Sequence, residues 1–168
     1  MYNIITEFLC QTRKKYVTAQ KSNIKEGEKY LNNLEKAKKI LSDGGYTCVL
    51  YNGRDTFCST ERGVAPLLKL YDEKKDCSNF SAADKVVGNG AAFLYVLLQI
   101  KELHAFVIST PALKTLTDNN IKVTFDTQTP AIRNRTNTGP CPIESSITGI
   151  TDPTLALTQI KSRLKSLP

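Results

Sequence analysis

The hydrophobic pattern of the chain becomes regular shortly after residue 25. Apolar side chains recur at helical spacing from Tyr30 to Leu41, and Gly44-Gly45 supplies a typical stop signal. Polar and charged side chains fill the positions between them. The pattern therefore predicts an amphipathic helix that begins near Glu26 and ends at the two glycines.

The next segment predicts a β-hairpin followed by a helix. Tyr46 to Leu50 has the composition of a strand, Asn52-Gly53 is a strong two-residue turn signal, and Asp55 to Ser59 would return as the partner strand. A helix is expected from about Val64, since Pro66 would then lie in the first turn, where proline is tolerated.

The most apolar segment predicts a buried central helix. Phe80 to Leu98 is apolar nearly all round, and Ser81 followed three residues later by Asp84 resembles a capping box. Gly88 and Gly90 would each cost about 1 kcal/mol of helix propensity, which favours close packing of this backbone on a sheet. Because both glycines fall inside the predicted helix and not in a strand-to-helix turn, we do not assign them to a dinucleotide-binding motif.

The second half of the chain predicts alternating strands and helices. Leu103 to Ser109 is apolar on both faces, as in a parallel sheet, and Ile121 to Phe125 predicts a neighbouring parallel strand. Helices should start at Thr110-Pro111 and Asp152-Pro153, and Ala131 to Arg133 predicts a short edge strand. The predicted fold is a three-layer α/β/α sandwich with a mixed sheet and a leading β-hairpin.

The chain of 168 residues predicts one main domain. We place this domain at residues 25–168 and interpret residues 1–24, which are polar and basic, as an N-terminal extension. The start of the sequence lacks the pattern of a secretory signal, and the longest apolar run is about half of a membrane span. We therefore expect no membrane association.

Charge and cysteine content narrow the functional classes. The formal charge of +7 favours anionic partners, but without a dense basic stripe carrying aromatic residues we do not expect nucleic-acid binding. The five cysteines are odd in number, widely spaced and without a C-x-x-C pair. This pattern predicts neither a disulfide framework nor a zinc finger, and it favours a cytoplasmic protein.

The loop N-R-T-N-T-G-P-C-P-I-E, from Asn134 to Glu144, is the first candidate site. Cys141 lies between two prolines, and it is interpreted either as a reactive thiol activated by nearby cations or as a buried or pocket-lining side chain. Other groups of the loop could donate hydrogen bonds to a phosphate or carboxylate. These candidate ligand-binding residues are Asn134, Arg135, Thr138 and Gly139.

Charged residues elsewhere offer further candidates. Asp84 is interpreted either as a helix cap or as a general acid or base that shares a pocket with this loop. Lys85 is a candidate for anion binding, because a cation at a helix start is otherwise disfavoured. Arg62 could reach the same site or simply pair with Glu61 in solvent. His104, at the beginning of its predicted strand, is expected to be structural.

Several blocks of the sequence resemble an uncharacterised bacterial family, catalogued as domain of unknown function DUF1893. The resemblance covers roughly Leu34 to Leu164 and implies a cytidine-deaminase-like fold, while the family has no settled activity. The blocks that carry it are A-D-K-V-V-G-N-G-A-A-F-L-Y-V, A-F-V-I-S-T-P-A-L-K-T-L and N-R-T-N-T-G-P-C-P-I-E, with S-T-E-R-G near Ser59.

The zinc motifs of that deaminase fold are not matched. In the zinc-dependent enzymes, H-A-E or C-A-E begins the central helix, P-C-x-x-C begins the next, and these residues hold the metal. Here Asp84 and Lys85 stand where the first motif is expected, and S-T-P-A-L-K keeps Pro111 without the cysteines. Since a catalytic zinc needs three protein ligands, we expect no metal, no other cofactor and no zinc-dependent deamination.

The sequence leaves alternative functions open. One is a site for an anionic or nucleotide-like metabolite with metal-independent catalysis, in which Asp84 acts as acid or base and Cys141 contacts the reacting group. The second is a non-catalytic ligand-binding or regulatory module. A third is an interaction protein that uses residues 1–24. A homo-oligomer is left open in every case.

Overall fold

The strands of the structure form one five-stranded mixed sheet. The computed structural model describes residues 31–134 and 136–166. The strand order is β2-β1-β3-β4-β5, in which β1 runs antiparallel to both neighbours and β3, β4 and β5 are parallel. These strands are β1 (Cys48–Tyr51), β2 (Thr56–Ser59), β3 (Ser81–Val87), β4 (Glu102–Ser109) and β5 (Lys122–Thr129).

Helices precede, connect and follow the strands. α1 begins after Asn32, whose side chain accepts a hydrogen bond from the Glu35 backbone N–H, and it ends at Gly45 with a φ of 67°. The helix therefore starts later than the start predicted near Glu26, while residues 1–30, which include the predicted extension, lie outside the described residues. The helices are α1 (Asn33–Gly44), α2 (Ala65–Asp72), α3 (Asn89–Leu97), α4 (Thr110–Asp118), α5 (Pro142–Ser146) and α6 (Pro153–Lys165).

Helices pack on both faces of the sheet. On one face, Ala37 and Leu41 of α1 pack against Val49 and Ala83 of the strands. On the other face, alternate strand positions join a larger hydrophobic cluster to which α2, α3, α4, α5 and α6 contribute. The prediction of a mixed α/β domain with helices around the sheet is confirmed.

The predicted central helix is wrong over its first half. Ser81 to Val87 forms β3, and the helix starts only at Asn89, after Gly88. A strand covered on both faces is apolar all round, so its sequence resembles a buried helix. The capping box proposed for Ser81 and Asp84 is therefore also wrong.

Two smaller predictions need correction. The hairpin turn is a four-residue connection between Tyr51 and Thr56, because the Asn52 side-chain oxygen accepts hydrogen bonds from the backbone of Arg54 and Asp55. The edge strand predicted near Arg133 is a single bridge to Pro140.

Most of the remaining elements follow the prediction, but β5 continues four residues past the predicted end at Phe125, and α5 was not predicted. Pro66 lies in the first turn of α2, and the Asp152 side chain caps α6 by accepting from Leu155 N–H at 2.7 Å. β4 and β5 are parallel neighbours, and α4 starts at Thr110. No helix among residues 31–134 and 136–166 is long and apolar enough to cross a membrane.

Candidate functional site

Glu144 joins three segments where β3 and β4 end. Its Oε1 accepts hydrogen bonds from the Asn89 backbone N–H at 2.9 Å and from the Ser109 hydroxyl at 2.8 Å. Its Oε2 accepts from the Ile132 backbone N–H at 2.8 Å. We call these four residues the Glu144 junction. It lies at the carboxyl ends of parallel strands, where ligands of open α/β sheets usually bind.

The Glu144 carboxylate occupies the start of α3. Helix N-termini attract anions, because their first N–H groups lack partners within the helix. Gly88 precedes this helix, and a Cβ on Gly88 would lie 3.0 Å from Glu144 Oε1. The glycine therefore permits the close approach of an internal carboxylate to a position that would otherwise suit an anionic ligand.

The two glycines of this region lie at a strand-to-helix turn after all. Gly88 caps α3, and Gly90 lies in its first turn. A Cβ on Gly90 would approach Ile143 Cγ2 to 2.6 Å, so the predicted close packing is found, although against α5. Phe93 stands at the third glycine position of a dinucleotide motif, and this motif is incomplete.

Asp84 belongs to a buried cluster on the face that carries α3. The Tyr95 hydroxyl donates to Asp84 Oδ2 at 2.8 Å, and the Val86 backbone N–H donates to Oδ1 at 3.0 Å. Cys48 pairs with Asp84 across β1 and β3, and its Sγ lies 3.3 Å from the Tyr95 oxygen. Because the tyrosine proton goes to Asp84, the thiol is the donor in that contact. We call Cys48, Asp84 and Tyr95 the Asp84 cluster.

Burial dominates the electrostatics of the Asp84 cluster. It raises the pKa of Asp84 to about 6, against the opposing effect of hydrogen bonds from Tyr95 and from the Val86 and Lys85 backbone. Burial, and next the Asp84 charge, raise the pKa of Cys48 and of Tyr95 well above their ordinary values. The thiol and the phenol therefore stay protonated at neutral pH, and neither is an activated nucleophile.

Asn134 uses its polar atoms inside its own loop. Its Oδ1 accepts from the backbone N–H of Thr138 at 2.9 Å and of Gly139 at 3.3 Å, and its Nδ2 donates to Thr138 Oγ1 at 3.0 Å. The Asn134 backbone N–H donates to the Gly139 oxygen. Arg135 lies outside the described residues. The polar atoms of the Asn134 side chain thus stabilise the fold of the loop. Ligand binding by this loop stays a prediction.

Cys141 is half-buried at the start of α5. Its backbone N–H donates to the Ile132 oxygen at 2.9 Å, and its side chain packs against the larger hydrophobic cluster. A role of Cys141 in lining a pocket stays a prediction. Its reactivity as a thiol stays a prediction.

The candidate cations lie apart from the Asp84 carboxylate. Lys85 follows Asp84 within β3 and is half-buried, and it takes part in none of the ion pairs found in the described residues. Arg62 is exposed on the segment before α2, and the ion pairs found in the described residues do not join it to Glu61. Anion binding by Lys85 or Arg62 stays a prediction.

His104 lies on the α1 face of β4, packed edge-on against Phe106. Its Nδ1 shares a hydrogen bond with Thr124 Oγ1 at 2.8 Å, and its Nε2 lies 3.4 Å from Asp126 Oδ1 without hydrogen-bond alignment. Burial lowers the pKa of His104, with a further contribution from Lys38. The sheet separates His104 from the cluster that contains Cys141, so the two do not form a dyad.

Sequence reasoning missed Glu144 and Tyr95. Glu144 was visible only as the last letter of the C-P-I-E block, and two of its three donors are backbone groups without a sequence signature. Tyr95 carried a weak signal, since a tyrosine in a fully apolar helix face needs a partner for its hydroxyl.

A surface depression of about 400 Å³ lies elsewhere, between the ends of α2 and α3. Tyr71, Lys75, Cys77 and Gln99 are among its lining residues. Neither Asp84 nor the loop of residues 134–144 lines it, so it does not correspond to the predicted pocket.

The described residues do not fit a deaminase zinc site. Asp84 and Lys85 lie within β3 and do not begin a helix, and α3 and α4 begin at Asn89 and Thr110, which are not typical zinc ligands. Among residues 31–134 and 136–166, no three His, Cys, Asp or Glu side chains lie close enough together to hold a metal ion.

The fold and these contacts define a mixed α/β domain. Near the carboxyl ends of its parallel strands, the Glu144 carboxylate is hydrogen-bonded to groups of the protein itself. The chain belongs to the family described as a domain of unknown function (DUF1893), whose family model matches residues 36–164. It is similar to the crystal structure of the DUF1893 family protein TM1506 from Thermotoga maritima, with 25% identity and a TM-score of 0.72. The match covers 86% of this chain and 93% of that one. No curated protein matches the sequence.

Proposed function

We propose that this protein is a non-catalytic ligand-binding or regulatory module with a cytidine-deaminase-like fold, acting in the cytoplasm. An antiparallel hairpin joined to three parallel strands, with helices on both faces, supports this fold. The resemblance of the sequence blocks to DUF1893 adds further support. One fold hosts many activities, so the function is argued from the site itself.

The observation that carries the proposal is that the candidate polar groups are hydrogen-bonded within the protein itself. Asp84 is hydrogen-bonded to Tyr95, Glu144 to three donors, and Asn134 to its own loop. A general acid or base must come within hydrogen-bond reach of the reacting atom. Asp84 is only 8% exposed and already bonded, which disfavours a catalytic role.

The ligand class we propose is a small anionic or nucleotide-like metabolite. A Cβ on Gly90 would lie 2.6 Å from Ile143 and 3.6 Å from Val64, so the starts of α2 and α5 both lie near the start of α3. Exposed Arg62 and the uncapped start of α2 lie beside that point. The formal charge of +7 also favours an anion.

The experiment is native mass spectrometry of gently purified protein, followed by calorimetric titration with AMP and with inorganic phosphate. We expect a retained mass of a few hundred daltons and AMP binding that Arg62→Ala weakens about tenfold, the effect of one charged hydrogen bond. Arg54→Ala is the matched control, since Arg54 is an exposed arginine in the hairpin turn. A bare chain that binds neither probe would contradict the ligand assignment.

The enzymatic alternative predicts a different result. If any retained ligand is converted by the wild type and not by Asp84→Asn or Cys141→Ala, the non-catalytic assignment is wrong. The proposal expects both variants to retain the ligand unchanged, because their side chains are used in internal packing.

A further inference from the structure

β5 presents a long open edge to solvent. It pairs on one side with β4, and none of the described strands pairs with its other side. β5 spans Lys122–Thr129, twice the length of β2 at the opposite edge of the sheet. An unpaired edge of this kind exposes a row of backbone N–H and C=O groups that can accept another strand.

β5 carries few of the devices that usually prevent edge pairing. Its sequence K-V-T-F-D-T-Q-T contains no proline or glycine, and among its residues only Val123 and Thr129 are partly covered. It carries one cation and one anion, Lys122 and Asp126. Their opposite signs make the edge attractive to a partner with the reverse order of charges, which an antiparallel copy of the same strand provides.

We propose that β5 pairs antiparallel with β5 of a second copy of this chain, about a two-fold axis at Thr124. In this register Lys122 lies opposite Asp126 of the second copy, Val123 lies opposite Phe125, and Thr124 lies opposite itself. Opposite charges, aromatic with β-branched residues, and threonine pairs are the favourable cross-strand combinations. Centring the pair one residue later, at Phe125, would place Lys122 opposite Gln128 and lose both charge pairs.

The orientation of the side chains agrees with this register. Thr124 and Asp126 point to the α1 face, where they approach His104, and alternation places Lys122 there as well. Val123 packs on the opposite face, and Phe125 shares that side. The Asp126 side chain is 61% exposed and Phe125 is 39% exposed, so both are available to a partner.

The resulting dimer is expected to be weak. One strand pair buries less than the roughly 1,000 Å² that a stable interface usually needs, so association should depend on concentration in the micromolar to millimolar range. Two surface charge pairs should make it salt-sensitive.

Sedimentation velocity over a wide concentration range tests the charge pairing. Lys122→Asp and Asp126→Lys each create two like-charge pairs, and each should weaken self-association about tenfold. The combined variant restores opposite charges and should recover it. Lys69→Asp, at an exposed position of α2, controls for net charge. A monomer at all concentrations, or a dimer that is insensitive to the single swaps, would overturn the proposal.

A cysteine cross-link tests the register itself. Opposed residues of antiparallel strands lie about 4.5–5.5 Å apart between Cα atoms, within disulfide range. Oxidised Thr124→Cys should therefore form a covalent dimer. Thr127→Cys should not, because the two copies of residue 127 would lie about 20 Å apart. Wild type oxidised in parallel reports any cross-linking by the native cysteines. Cross-linking of both variants alike, or of neither, would exclude the proposed register.

Discussion

Asp84 and Glu144 are two carboxylates beside the same helix, and the structure uses them in opposite ways. Asp84 is buried within the Asp84 cluster, and its pKa is raised to about 6. Glu144 is half-buried, and its carboxylate accepts from three donors in three segments. Hydrogen bonds from donors stabilise a carboxylate, and burial of its charge destabilises it. The comparison teaches that the balance of these two effects decides whether a carboxylate raises or lowers the stability of the fold.

The largest expected effect is the loss of the Glu144 junction. Glu144→Ala leaves three donors without their partner and should lower the free energy of unfolding by about 3–4 kcal/mol. Urea denaturation measures this change. Glu144→Gln keeps one acceptor oxygen and should cost less. A loss under about 1 kcal/mol for the alanine variant would mean that water replaces the carboxylate, and that the contrast with Asp84 does not hold.

Asp84→Asn should show the opposite behaviour through its pH dependence. In the wild type the folded pKa lies above the unfolded value, so the folded state binds the extra proton between about pH 4 and pH 6, and stability falls as pH rises through that window. The asparagine cannot ionise. Its stability relative to wild type should therefore increase by about 3 kcal/mol from pH 4 to pH 7, the equivalent of the raised pKa.

Urea unfolding of both proteins at matched pH values gives this difference directly. His104 contributes a slope of the opposite sign, because its lowered pKa makes the folded state lose stability as pH falls below about 6.5. Both proteins retain His104, so its contribution cancels. If the difference in unfolding free energy between wild type and Asp84→Asn does not vary with pH, the ionisation of Asp84 does not destabilise the folded protein.

Gly88→Ala tests how closely the Glu144 carboxylate packs against the start of α3. The added Cβ would meet Glu144 Oε1 at 3.0 Å and should cost about 1–2 kcal/mol. Gly139→Ala is the control, since its nearest neighbour, an Asn134 nitrogen, would be 3.7 Å away. In the Glu144→Ala background the cost of Gly88→Ala should shrink. Full additivity of the two changes would contradict the contact between them.

The smallest effect is expected at Cys141. Cys141→Ala removes a half-buried thiol and should cost about 1 kcal/mol or less, measured by thermal unfolding.

In labelling with iodoacetamide, Cys48 should react only after unfolding, because its thiol is buried and protonated. Rapid labelling of Cys48 in the folded protein would mean that the Asp84 cluster opens to solvent. Asp84 would then again be a candidate general acid or base.

The parts of the fold that could be predicted are those with local signals. Asp152 before Pro153 and the glycines after α1 mark helix ends through their own conformations, and they were assigned correctly. β3 could not be distinguished from a helix, since helices cover both of its faces and remove the alternation of polar and apolar residues.

The candidate site was harder to predict for a different reason. Asp84 is bonded to Tyr95, eleven residues further along the chain, and sequence spacing suggested a cap to its own segment instead. Asn134 has donors suited to a ligand, but whether they remain available depends on how the loop closes. Side-chain type alone does not record which polar groups are already satisfied within the fold.

The Glu144 junction also has a consequence for the order in which the molecule assembles. Its contacts span 55, 35 and 12 residues of sequence, so α3, β4, α4 and β5 must be in place before the carboxylate can meet its donors. The entropic cost of closing such long loops favours late formation, after the folding transition state. The hydrogen bonds of the junction would then slow unfolding and have little influence on the rate of refolding.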